Sequence, residues 1–129
     1  MRGLIGKKIG MTQIFNESGT SVPVTVVEAG PCVVTQVKTK SSDGYDAIQV
    51  GYCDLKEKHL NKPQSGHFSK SKTNAKRFLA EFVPVTNFNY ETGQEFGVTL
   101  FKIGEYVTIK GTTKGRGFSG VMKRHGFGG

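Results

Sequence analysis

Along most of the chain, apolar and polar side chains alternate with a period of two, and the three-to-four spacing of an amphipathic helix is almost absent. β-Branched residues gather in runs of about five to eight, each bounded by Gly, Pro, Asn, Asp or Ser. Gly10–Phe15 leads into Asn16-Glu17-Ser18-Gly19, a turn whose glycine can take positive φ, and then into Ser21–Glu28, where Val22, Val24 and Val26 share one face. Gly30-Pro31 ends that run. Cys32–Lys40 follows, with Val33, Thr35 and Val37 alternating against Gln36 and Lys38. Asp43-Gly44 turns the chain into Tyr45–Tyr52, where Ile48, Val50 and Tyr52 form the opposite stripe. The expected result is an antiparallel meander.

From Asp54 the alternation gives way to Lys, His, Ser and Asn around an isolated Phe68, which predicts an exposed excursion with one short helix around Ser69–Lys76. Strand character returns where Phe78, Ala80 and Phe82 alternate with Leu79 and Glu81 before Pro84. Val98–Phe101 and Tyr106–Lys110 bracket a turn at Ile103-Gly104-Glu105. About seven short strands with hardly any helix predict a mainly β fold, a small antiparallel β-barrel, because closure removes exposed edges. Residues 1–54 and 78–112 make the expected body. Residues 55–77 make the excursion, and residues 113–129 begin a separate extension.

Charge sharpens this picture. The 129 residues fit one small domain, and 18 Lys plus Arg against 10 Asp plus Glu give a net charge of +8. Such an excess favours nucleic acid or an anionic membrane surface as partner. It is uneven: Leu55–Ala80 holds seven bases against Glu57 alone, whereas Glu81–Phe101 holds three Glu and no base. No stretch approaches the ~18 apolar residues of a membrane span, and Met-Arg-Gly-Leu-Ile-Gly-Lys-Lys has no apolar core of a secretory signal. A cytosolic protein, or one made inside an organelle, is expected. Cys32 and Cys53 lie in expected strands without a CxxC partner and read as small buried hydrophobes, so neither a disulfide nor a metal site is predicted.

The last 20 residues, Lys110 to Gly129, contain five Lys or Arg, seven glycines and no carboxylate. A segment so poor in apolar side chains cannot build a core of its own. Its bare backbone can approach a sugar-phosphate chain closely, while Lys110, Lys114, Arg116, Lys123 and Arg124 displace condensed counterions. Phe118 and Phe127 offer faces for an unpaired base. The plainer alternative is a solvated tail. Lys7, Lys8, Lys70, Lys72, Lys76 and Arg77 either extend the same surface or keep the protein soluble. His67 and His125 read as stacking or phosphate-contacting groups, or as exposed imidazoles, and with His59 they show no spacing that suggests a catalytic relay.

Gly115-Arg116-Gly117-Phe118-Ser119-Gly120 matches G-x-G-x-x-G, but a dinucleotide site needs a preceding strand, a following helix and an acidic residue some 20 positions on. Nine residues follow Gly120 and none is acidic. No catalytic residue, cofactor or small-molecule substrate is predicted, and the chain does not read as an enzyme. A basic β-barrel adaptor that binds protein or membrane surfaces is the alternative to an RNA binder.

The opening Met1-Arg-Gly-Leu-Ile-Gly-Lys-Lys-Ile-Gly-Met-Thr-Gln-Ile-Phe15 resembles the amino-terminal motif of the large-ribosomal-subunit protein L-three family, of bacterial or organellar type. Pro23–Glu28 with Val34–Lys38, then Lys62-Pro63 with Gly66-His67-Phe68, and finally Thr113–Arg124 resemble family motifs in the same order. Thr108 departs from the Asp or Asn usual there. Family members also continue beyond this point, so the chain is expected to stop inside the glycine-rich loop, short of the strands that finish the barrel.

The resemblance implies a barrel of the translation-protein type with an rRNA-penetrating extension that points toward the peptidyl-transferase region. It implies binding near the 3′ end of large-subunit rRNA early in assembly, neighbouring large-subunit proteins as partners, and a place in the cytoplasmic or organellar ribosome. By motif, it marks Lys114, Arg116, Lys123, Arg124 and His125 as rRNA contacts, with Lys7 and Lys8 beside them. The full expected set adds His67, Lys70, Lys72, Lys110 and Phe118. No membrane partner is expected.

Overall fold

A computed structural model describes residues 3–85 and 88–129; Met1 and Arg2, which open the amino-terminal motif, lie outside the described residues. Strand β1 (Gly6–Phe15) turns back into β2 (Ser21–Ala29) as a long antiparallel ribbon. Gly19 closes the turn at φ +76°, donating its N–H to the Asn16 carbonyl at 2.8 Å. The ribbon slips register between Lys8 and Gly10, a bulge that increases its twist.

Strand β3 (Cys32–Lys38) pairs antiparallel with β4 (Ala47–Asp54), and the helical turn α1 (Lys40–Asp43) connects them, ending on Gly44 in the left-handed region. Helix α2 (Lys62–Ser71) follows β4, then β5 (Lys76–Phe82) and the two-residue β6 (Glu95–Phe96). The second sheet runs β5-β4-β3-β6, all antiparallel. The class is therefore mainly β, as the alternation predicts.

The strands described do not close into a barrel; they form one ribbon of two strands and one sheet of four. Tyr106–Lys110, predicted as a strand, is irregular and joins no ladder among the described residues, and Val98–Leu100 forms a turn of 3-10 helix. Alternation marks which faces a segment can present; it does not provide a neighbour to pair with. The helix predicted around Ser69–Lys76 lies earlier, because Pro63 presets its first turn and the Gln64 side chain accepts the Asn61 N–H at 3.3 Å. It stops at Lys72, which takes φ +53° and donates its N–H to the Ser69 carbonyl.

The core is small. Cys32, Val34, Ile48, Val50 and Tyr52 are buried together, with Leu4, Ile5, Val37, Phe82, Tyr90 and Phe96 packed around them. Two bonds to one carbonyl root the ribbon on this core: Ile5 O accepts the Gly30 N–H at 3.3 Å and the Cys32 thiol at 3.4 Å. Burial pushes the Cys32 thiol up in pKa, so it stays protonated to make this bond. Cys53, expected inside, is exposed: it follows Tyr52, the last residue of the buried Ile48-Val50-Tyr52 stripe, so alternation turns it to the opposite face, and its φ of +62° breaks the strand there. Farther out, Ile9, Met11, Ile14 and Phe15 remain exposed on the ribbon. Among the described residues no helix is long and apolar enough to cross a membrane.

Candidate nucleic-acid interface

The expected rRNA contacts fall into three places. The first is the carboxy-terminal segment. Every residue from 102 to 129 is exposed, including Phe118 and Tyr106, and residues 113–129 make no hydrogen bond to the body among the described residues. Lys110, Lys114, Arg116 and Phe118 lie on irregular backbone, where Gly117 at φ +73° permits a bend. Lys123, Arg124 and His125 share one short helical turn, α3 (Val121–His125), closed by Gly126 in the left-handed region. Five cations, none in an ion pair among the described residues, on a fully exposed segment can each turn toward a phosphate.

The second place is α2, which sets Lys70 in its last turn and Lys72 at its cap, where positive charge complements the helix dipole. His67 has a partner here. It is partly buried, and its Nε2 lies 2.8 Å from Gln49 Oε1 on β4. An amide oxygen only accepts, so the ring nitrogen donates and neutral His67 carries its proton on Nε2. The same Gln49 oxygen accepts from the buried Thr35 hydroxyl at 2.9 Å. His67 thus ties α2 to the sheet, and Nδ1 is the ring atom left for any ligand.

The third place is the root of the ribbon, where Lys7 and Lys8 stand opposite Glu28 and Val27. Here the fold creates something the sequence did not reveal. A groove of about 630 Å³ separates the ribbon from the sheet's β5 edge, and it brings Lys7 alongside Lys76, Arg77 and Phe78. Lys76 is paired with Asp54 at 2.7 Å. Burial raises the Tyr52 hydroxyl in pKa, helped by the Glu28 carboxylate, so that wall is neutral phenol beside an acid. The Arg77 guanidinium lies 5.3 Å from the Phe78 ring centroid, and Phe78 is 49% exposed. The available signal was an Arg-Phe pair on a strand that turns out to be an edge.

No family model matches the chain. It does match curated proteins that are named as components of the large ribosomal subunit. Both carry the name large ribosomal subunit protein uL3. The one from Prochlorococcus marinus is 54% identical over 125 residues, covering 97% of this chain and 58% of the relative. The one from Carboxydothermus hydrogenoformans is 52% identical over 127 residues, covering 98% of this chain and 60% of the relative. The chain matches a partial uL3 and spans about three fifths of the length of those relatives.

Proposed function

We propose that the chain is an architectural, non-catalytic part of the large ribosomal subunit. In this reading its β body positions basic arms that take their final shape on large-subunit rRNA. The observation that carries the proposal is the segment from Lys110 to Gly129: exposed throughout, five times cationic, free of carboxylates and unattached to the sheets among the described residues. Such a segment does not pack on its own protein, and its charge and glycine content suit a phosphate backbone. The similarity to uL3 supports the same partner and a ribosomal location.

In this account Lys114, Arg116, Lys123, Arg124 and His125 contact rRNA at the base of the extension, joined by Lys110 and Phe118. Lys7, Lys8, His67, Lys70 and Lys72 form the surfaces through which the body leans on the same RNA. The extension points toward the peptidyl-transferase region. Binding occurs near the rRNA 3′ end early in assembly, beside other large-subunit proteins. Sedimentation of the tagged full chain tests this: it should travel with large-subunit particles and be released by ribonuclease, and migration away from those particles regardless of ribonuclease would contradict it.

A further inference from the structure

We infer that the groove between the β1–β2 ribbon and the β5 edge binds one unpaired RNA nucleotide, its base stacked on Phe78 and its phosphate held between Lys7 and Arg77. The inference rests on the rRNA reading above and adds a site on the body, distinct from the basic segment.

Size is the first argument. At about 630 Å³ the groove lies within the ordinary range for a small-ligand site, large enough for one nucleotide and far too small for a duplex. Wall chemistry is the second. Ile5, Pro31 and Phe78 give it apolar surface, and the half-exposed Phe78 carries Arg77 over its ring. An aromatic face flanked by guanidinium is a platform that accepts any base.

Charge provides the third argument and selects the occupant. Lys76 is already neutralised by Asp54, whereas Lys7 and Arg77 have no ion-pair partner among the described residues. Two cations outside any ion pair among the described residues, at one groove, suit a phosphate. The carboxylates of Glu28 and Asp54 also line it, and they repel a second phosphate while offering acceptors to the N–H edge of a base. A nucleotide that enters base-first meets all of these groups in their favourable sense. A continuous backbone strand running through the groove would not.

The test is zero-length ultraviolet crosslinking of the full chain on a large-subunit rRNA fragment, with crosslinked peptides mapped. A nucleotide adduct should appear on the peptide that begins at Phe78. Phe78→Leu should remove that adduct and weaken binding by about tenfold with the salt slope unchanged, because stacking releases no counterions. Phe78→Trp should keep both adduct and affinity, and Arg77→Gln should reduce the salt slope by about one. Adducts confined to the segment after Lys110, with Phe78→Leu binding like the parent, would overturn the groove site and leave the rRNA reading standing. Absence of any adduct together with salt-insensitive binding would overturn both.

Discussion

Lys38 and Glu81 lie on β3 and β5, strands that never pair with each other, yet their side chains meet across β4 at 2.7 Å. Tyr45, just before β4, completes the bridge: its hydroxyl donates to Glu81 at 2.8 Å and accepts from Lys38 at 2.8 Å. The Lys38 ammonium also sits 5.1 Å from the Tyr45 ring centroid. Three strands are thereby tied together on one face of the sheet.

This relation makes stability depend on acid. Hydrogen bonds from Lys38 and then Tyr45 hold the Glu81 carboxyl below its ordinary pKa. A depressed carboxylate contributes stability that is complete above its unfolded pKa and is lost as pH falls through the folded value. Lys38 is held above its ordinary value, chiefly by Glu81, so its contribution persists through neutral pH. Glu81→Gln should lower Tm at neutral pH and flatten the loss of Tm between about pH 5 and pH 2. An acid profile identical to the parent would show that the bridge contributes nothing.

Gln49 joins β3, β4 and α2 through one side-chain oxygen. Gln49→Leu removes the acceptor for His67 and leaves the buried Thr35 hydroxyl with only the position-49 backbone carbonyl, 3.3 Å away in the parent. The expected cost is about 1–3 kcal/mol, read as a fall in Tm. Nitrogen-15 shifts of neutral His67 in the parent should report the proton on Nε2, and an Nδ1–H tautomer would refute this arrangement.

Gly51, buried in β4, has no room for a side chain. A Cβ there would stand 2.6 Å from Lys76 Cγ and 2.7 Å from Lys76 Cβ, atoms too near the β5 backbone to swing away. Gly51→Ala should cost about 1–3 kcal/mol by forcing β5 outward and loosening the Lys76–Asp54 pair. Unchanged thermal unfolding would mean that β5 yields freely.

Arg116 separates binding from folding. It is exposed on the unpacked segment, so Arg116→Ala should leave Tm unaltered. It should weaken rRNA binding by about 1–2 kcal/mol if it makes a charge-assisted phosphate contact. Equal affinity for parent and variant would remove Arg116 from the interface.

What the chain reveals by itself is local. The ribbon and the β3–β4 hairpin follow from alternation plus glycines whose positive φ closes the turns, as at Gly19 and Gly44. The basic segment is equally legible, because its composition alone denies it a core. The losses occur wherever a partner decides. Glu95–Phe96 is a strand only because it meets Cys32 and Val33 on the edge of β3. Tyr106–Lys110 has strand alternation and pairs with no strand among the described residues. Cys53 is expected inside for its apolar side chain, but it stands one residue out of phase with the buried Ile48-Val50-Tyr52 stripe and faces out. The groove draws Ile5, Glu28, Tyr52 and Phe78 from separate strands and connections, so no window of sequence contains it.

The most direct measurement is the affinity of the full chain for a large-subunit rRNA fragment as a function of salt. If about five phosphates are neutralised, affinity should fall on the order of a hundred- to a thousandfold between 50 and 200 mM salt. A Kd that stays constant across that range would contradict the claim that cationic arms bind the phosphate backbone.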